Sequence, residues 1–271
     1  MNPASDHNNI SYDTITVEKN NSVAKITLNR PDAANGISLE LAKDFYNAAL
    51  DLDSNKDIRA IIITGSGKFF SAGGDLNGFA SQGDKIAQYM KEITFYLHGA
   101  ISRLAHTDAP VIIAVNGTAA GAGFSLAAMG DLVLAGQSAK FTMAYTAAGL
   151  SPDGSSSYYL PRIIGIRKAQ ELMLTNRVLS SEEALDWGIV TQVVADDALM
   201  EEAEKLAKQF AAGPTQAFGS VKKLLLATFD NSLETQMELE TMTIAKMGNT
   251  NDGKEGMTAF LEKRKPQYKG C

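Results

Sequence analysis

The chain has 271 residues, enough for one domain of roughly 200–250 residues with an appendage or for two small ones, and its 45% hydrophobic and 21% charged content is that of a globular protein. A net charge of −6 argues against a general nucleic-acid-binding or anionic-membrane surface, while leaving room for a local cationic cluster around one anionic ligand. Cys271 is the only cysteine and no apolar run approaches the ~18 residues of a membrane span, so neither an internal disulfide nor a membrane helix is expected, and a reducing, cytoplasmic setting fits.

In chain order, the first eleven residues (MNPASDHNNIS) lack a basic stretch followed by an apolar one and read as a frayed, disordered tail over 1–11 rather than a secretory signal. Residues 12–18 and 22–28 alternate apolar and polar around Asn20-Asn21, a hairpin signal. A turn-rich loop follows, and Ser38 is placed to cap a helix over 39–53. AIIIT (60–64) and VIIAV (111–115) are short, continuous and β-branched, the pattern of strands buried on both faces. Between them Ile86, Met90, Ile93, Leu97, Ile101 and Leu104 recur at steps of three or four, predicting an amphipathic helix over 86–104. Further short strands are expected at 132–135 and 140–143, so 60–135 reads as alternating strand and helix, an α/β pattern. Beyond residue 150 the pattern is helical, with candidates at 168–175, 181–187, 196–212, 215–229, 232–247 and 254–264. This divides the chain into an α/β core over 12–195 and a helical region over 196–271, whose apolar stripe suits oligomerisation or a lid.

Two of the buried strands run into small residues: Ala72-Gly73-Gly74-Asp75 after the first, and Gly117-Thr118-Ala119-Ala120-Gly121-Ala122-Gly123 after the second. Turns and close packing are the ordinary uses of such glycines. The chemical use is to bring a ligand oxygen onto free backbone N–H groups at a helix start, and two such donors make an oxyanion hole. Phosphate loops fit poorly. The second segment lacks the third glycine of a dinucleotide fingerprint, and GSGKFF lacks the spacing of a Walker A loop. There is no G-x-S-x-G elbow, and three histidines and one terminal cysteine give no metal spacing.

FFSAGGDL paired with PVIIAVNGTAAGAGFSLAAMGDLVLA resembles the crotonase (enoyl-CoA hydratase/isomerase) superfamily, and so do NRPDAANGIS, AKFTMAYTAAGLSPDG, EEALDWGIV and EGMTAFLEKRKPQY, in order from about residue 12 to 269. The resemblance implies an α/β crotonase fold of repeated ββα units with a C-terminal helical region that forms trimers, often paired into hexamers. It implies an acyl-CoA thioester as ligand, with coenzyme A entering as part of the substrate and no separate cofactor, metal, nucleic acid or membrane. The thioester oxygen would accept hydrogen bonds from the amides of Gly74 and Ala122, Ala72, Asp75 and Leu76 would lie along the CoA, and Phe260 and Lys263 would close over it.

Hydratases of this superfamily carry two glutamates, and their places here hold Ser125 and Tyr145, which cannot activate water as a carboxylate does. Asp153 stands where hydratases have glycine. Pro-Asp-Gly is an ordinary turn, but several superfamily members place a working aspartate at this position. The resemblance is nearest to phenylacetate-pathway-type enoyl-CoA isomerases, in which the aspartate moves a proton between carbons. Aromatic degradation and fatty acid metabolism are the corresponding settings. The alternative is a 4-chlorobenzoyl-CoA dehalogenase, with Asp153 as nucleophile and His98 as base. His98 on the 86–104 helix is otherwise an ordinary surface or packing histidine. A non-catalytic scaffold of the same fold is the alternative of another class.

Overall fold

The computed structural model describes residues 12–271, so the tail expected over 1–11 lies outside the described residues. The hairpin forms from β1 (Ile15–Asn20) and β2 (Val23–Leu28), with Asn21 in the left-handed region at its turn. Ser38 caps α1 (Leu39–Ser54), its hydroxyl accepting the Leu41 N–H at 3.2 Å. Three ββα units follow. The first is β3 (Ala60–Gly65), β4 (Phe69–Ser71) and the helices α2 (Leu76–Ala80) and α3 (Ile86–His106). The second is β5 (Val111–Val115), β6 (Thr118–Ala120) and α4 (Ala122–Ala128). The third is β7 (Leu132–Gly136), β8 (Lys140–Thr142) and α5 (Ser156–Thr175). In each unit the first strand enters a six-stranded sheet, ordered β1-β2-β3-β5-β7-β10, and the second enters a four-stranded sheet, β4-β6-β8-β9. β9 (Leu179–Ser180), α6 (Ser181–Asp186) and β10 (Gln192–Val194) complete the two sheets.

The unbroken apolar runs of β3 and β5 have their reason in this layering. Ile61, Ile63, Val111 and Ile113 face the main core, while Ala60, Ile62, Ile112 and Ala114 face the other side of the sheet. That other side is covered by Leu199, Ala203 and Ala207 of α7 (Leu199–Ala211). The expected boundary at 195/196 therefore precedes a helix that packs on the large sheet. Beyond α7 come α8 (Thr215–Ala227), α9 (Leu233–Gly248) and α10 (Asn251–Leu261), and α9 buries no residue in the single chain.

Several elements differ from the sequence expectation. β4, β6, β9 and β10 have two or three residues each, too short for a strand period to show. The helix expected over 168–175 is the second half of α5, whose first half contains Pro161 and ends at Gly165 in a non-helical conformation (φ 78°, ψ 156°).

Candidate active site

β4 and β6 are parallel neighbours, with Phe69 beside Thr118 and Ser71 beside Ala119, so the two glycine segments leave the small sheet side by side. Their glycines permit the approach. A Cβ on Gly73, whose φ is +95°, would lie 2.8 Å from the Ala120 carbonyl oxygen and 3.2 Å from the Ala122 nitrogen. The Gly73 carbonyl accepts the Ile37 N–H at 2.7 Å and the Asp75 N–H donates to the Ile37 carbonyl at 3.1 Å. Alternation along an extended backbone then turns the Gly74 N–H away from Ile37. The Ala122 N–H opens α4 and has no preceding helical carbonyl. Among the described residues neither amide donates to a protein acceptor, and both residues line the same cavity.

That cavity has a volume of about 290 Å³. Its wall is apolar, from Ile37, Phe79, Met90, Ile93, Leu97 and Leu150. The apolar stripe read along 86–104 is thus shared: its outer end lines the cavity, and Ile101 and Leu104 go into the core. Ala72 and Leu76 also line it. Asp75 does not. It caps α2 by accepting the Gly78 N–H at 3.1 Å and pairs with Arg30 at 3.0 Å. Partial burial opposes its charge, but these two partners outweigh it and hold the carboxyl below its ordinary value.

Among the described residues Asp153 is the only carboxylate on the cavity wall. Its Oδ1 accepts the Tyr145 hydroxyl at 2.6 Å, and the Tyr145 oxygen lies 2.9 Å from the buried Ser125 hydroxyl. Burial, and then the Asp153 charge, push the Tyr145 phenol well above its ordinary range, so it stays protonated and donates. Ser125 then donates to Tyr145, giving one directed chain from Ser125 through Tyr145 to Asp153. The two residues that the resemblance sets in the places of glutamates thus form a chain that ends on Asp153. Sequence reasoning registered Ser125 only as a missing carboxylate. The available signal was the joint appearance of Ser125, Tyr145 and Asp153.

His98 approaches from outside. Its Nε2 is 3.1 Å from the Gly154 nitrogen and 3.4 Å from Asp153 Oδ2, and its half-exposed ring lines a second, outer cavity rather than the apolar one. Phe260 is 83% exposed on α10 and Lys263 follows that helix; neither lines the cavity of its own chain. Among the described residues no group of three or more His, Cys, Asp or Glu side chains is placed to hold a metal ion, and no helix is long and apolar enough to cross a membrane.

Free amides from two adjacent loops, an apolar cavity and one supported carboxylate are an arrangement that can bind a negatively charged oxygen beside a group able to carry a proton. The comparisons agree in class. The enoyl-CoA hydratase/isomerase family profile matches residues 18–271, and the chain belongs to that family, with the crotonase fold. It is similar to the 1,2-epoxyphenylacetyl-CoA isomerase of Escherichia coli (strain K12), 40% identical over 250 residues, covering 92% of this chain and 95% of the relative. It is also similar to 4-chlorobenzoyl coenzyme A dehalogenase-2 of Arthrobacter sp, 36% identical over 254 residues, covering 92% and 89%. The crystal structure of an enoyl-CoA hydratase from Polaromonas sp. JS666 superimposes with a TM-score of 0.90 at 33% identity, covering 94% of this chain and 99% of that one.

Proposed function

We propose that the protein is an acyl-CoA isomerase that holds its thioester oxygen on the amides of Gly74 and Ala122 and moves a proton with Asp153. The observation that carries this reading is that among the described residues Asp153 is the one carboxylate on the apolar cavity, buttressed by Tyr145 instead of accompanied by a second acid. With a 3-enoyl thioester, Asp153 takes the proton from C2, the pair of electrons delocalises onto the thioester oxygen, and the same proton returns at C4. The two N–H groups bind the oxygen as its charge grows. Similarity to the epoxyphenylacetyl-CoA isomerase extends the candidate substrates to a ring epoxide. Ala72, Asp75 and Leu76 border the path of the CoA. The assembly is a trimer or a hexamer in which the unburied α9 meets another copy, and Phe260 and Lys263 serve a neighbouring site.

The test is Asp153→Asn, assayed with 3-enoyl-CoA and 1,2-epoxyphenylacetyl-CoA in parallel. Turnover is expected to fall by about 10²–10⁴-fold, the usual worth of a general acid–base group, while calorimetry shows the CoA ester still bound. Full isomerisation by the variant overturns the reading, and failure of the native protein to bind any CoA thioester would favour a scaffold. The dehalogenase reading keeps one observation in its favour, the 3.4 Å approach of His98 to Asp153. It predicts that the His98→Gln protein accumulates a covalent aryl adduct on Asp153 with 4-chlorobenzoyl-CoA, visible by mass spectrometry.

A further inference from the structure

The 3.1 Å and 3.4 Å contacts of His98 compete for one atom. Nε2 has a single in-plane position, which holds either a lone pair or a proton. With a lone pair it accepts the Gly154 N–H, and its approach to Asp153 Oδ2 sets acceptor against acceptor. With a proton it donates to Asp153 and loses Gly154. The geometry points to a positioning role: neutral His98, protonated on Nδ1, accepts the Gly154 amide and so fixes the turn that presents Asp153 to the acyl cavity, and protonation of His98 transfers Nε2 from Gly154 to the Asp153 carboxylate.

The turn needs such a hold. Gly154 and Ser155 both lie in the left-handed region, at φ +60° and +71°, and a non-glycine residue there costs about 1–2 kcal/mol. A Cβ on Gly154 would lie 3.0 Å from the Ser125 Cβ, so the turn is seated directly on the Ser125–Tyr145 chain. Inside, Tyr145 grips Asp153 Oδ1. Outside, His98 grips the next amide along. Asp153 sits on the wall between the apolar cavity and the outer one, which has a volume of about 690 Å³.

The ionisable groups that face His98 across the outer cavity are few. Its own helix contributes His106, the turn Asp153, α5 Tyr158 and Tyr159, and the segment after α8 Asp230. Tyr159 is pushed up to about 12, by burial and then by the Asp131 charge, and stays neutral. Asp230 lies 3.9 Å from Arg162. Asp153 is therefore the anion that a protonated His98 turns to. Capture of Oδ2 by the imidazolium removes the oxygen that Tyr145 leaves free for proton transfer, so activity falls as pH falls.

The consequence for catalysis rests on Asp153 being the working carboxylate; the hold on the turn does not, and the experiment separates them. Magic-angle-spinning NMR of ¹⁵N-histidine-labelled protein should show His98 at neutral pH with a proton on Nδ1 and a hydrogen-bonded, unprotonated Nε2, and with both nitrogens protonated in acid. A protonated Nε2 at neutral pH overturns the inference. Deuterium exchange of the peptide over 151–155 should be faster in His98→Leu and native-like in His98→Gln, whose amide oxygen can accept the Gly154 N–H; equal exchange in all three proteins overturns it. On 3-enoyl-CoA, His98→Leu should lose about tenfold in kcat with little change in KM, the worth of one unpaired amide, while His98→Gln stays within about threefold and shifts the acid limb to lower pH. Equal losses in the two variants overturn the positioning role. If the native protein does not turn over 3-enoyl-CoA, the functional reading fails and the NMR and exchange results still decide the hold on the turn.

Discussion

Gly123→Ala isolates the contact that sets the two free amides side by side. Gly123 is the second residue of α4, and a Cβ there would stand 2.4 Å from the Ser71 carbonyl oxygen and 2.9 Å from its carbonyl carbon. Ordinary contact begins near 3.4 Å, so the two backbones must part by about 1.0 Å. Ser71 cannot yield by rotating its side chain, because the closest atom is its carbonyl oxygen. Its hydroxyl also donates to the Asn35 carbonyl at 2.8 Å and accepts the Gly73 N–H at 3.2 Å, so displacement of Ser71 carries the 72–75 loop with it. Overpacking of this kind costs about 1–3 kcal/mol, which in a chain of this size lowers Tm by roughly 2–10 °C. The functional cost is larger. Parting the Gly74 and Ala122 amides by that distance removes one donor from the thioester oxygen, worth about 2.7–4 kcal/mol, or 10²–10³-fold in kcat. Calorimetric melting and steady-state turnover of the CoA ester read the two effects separately. A variant with the expected drop in Tm but a native kcat would refute the joint use of these amides, and an unchanged Tm would refute the packing argument.

Tyr145→Phe removes the donor to Asp153 Oδ1 and leaves the Ser125 hydroxyl without that partner; a hydrogen bond to a charged group is worth about 1.5–3 kcal/mol, so kcat should fall about 10–100-fold with CoA-ester affinity unchanged, and a native kcat would remove Tyr145 from the site. Light scattering at micromolar concentration should give a trimer or hexamer, because α9 leaves Leu233 at 69%, Met242 at 64% and Ile244 at 73% exposed in the single chain; a monodisperse monomer contradicts this.

Most of the large sheet is legible because its strands announce themselves: residues 60–63 of β3 and all of β5 are unbroken apolar runs, and only the three-residue β10 goes unread, while Ser38 and the 86–104 stripe mark their helices. Of the small sheet only β8, expected at 140–143, is legible, because β4, β6 and β9 have two or three residues each, and at that length no period can be read. The first half of α5 is not legible because Pro161 and Gly165 punctuate it as a loop would, while in the fold Ser156 and Leu160 of that half are buried. The candidate site divides along the same line. The two glycine segments stand out in sequence because free amides require small neighbours, and small neighbours are visible as composition; Gly74 and Ala122 within them are singled out only by the family resemblance.

The support of Asp153 obeys no such rule. Ser125, Tyr145 and Asp153 come from three places: α4, the segment after β8 and the turn before α5. They meet because β6 and β8 are adjacent in the small sheet, a pairing that the sequence does not announce. A hydroxyl at position 125 and a phenol at 145 look like two lost carboxylates until that pairing sets them in line with a third. The same holds for His98, where helix period fixes the face of α3 but says nothing about which partner a ring nitrogen finds. That choice is made by Gly154, whose missing Cβ lets the turn settle against Ser125 and turns its amide outward to the histidine. The chemistry of the site is thus written in residues whose meaning depends on the placement of the least conspicuous strands, and the substitutions that test it act on those placements.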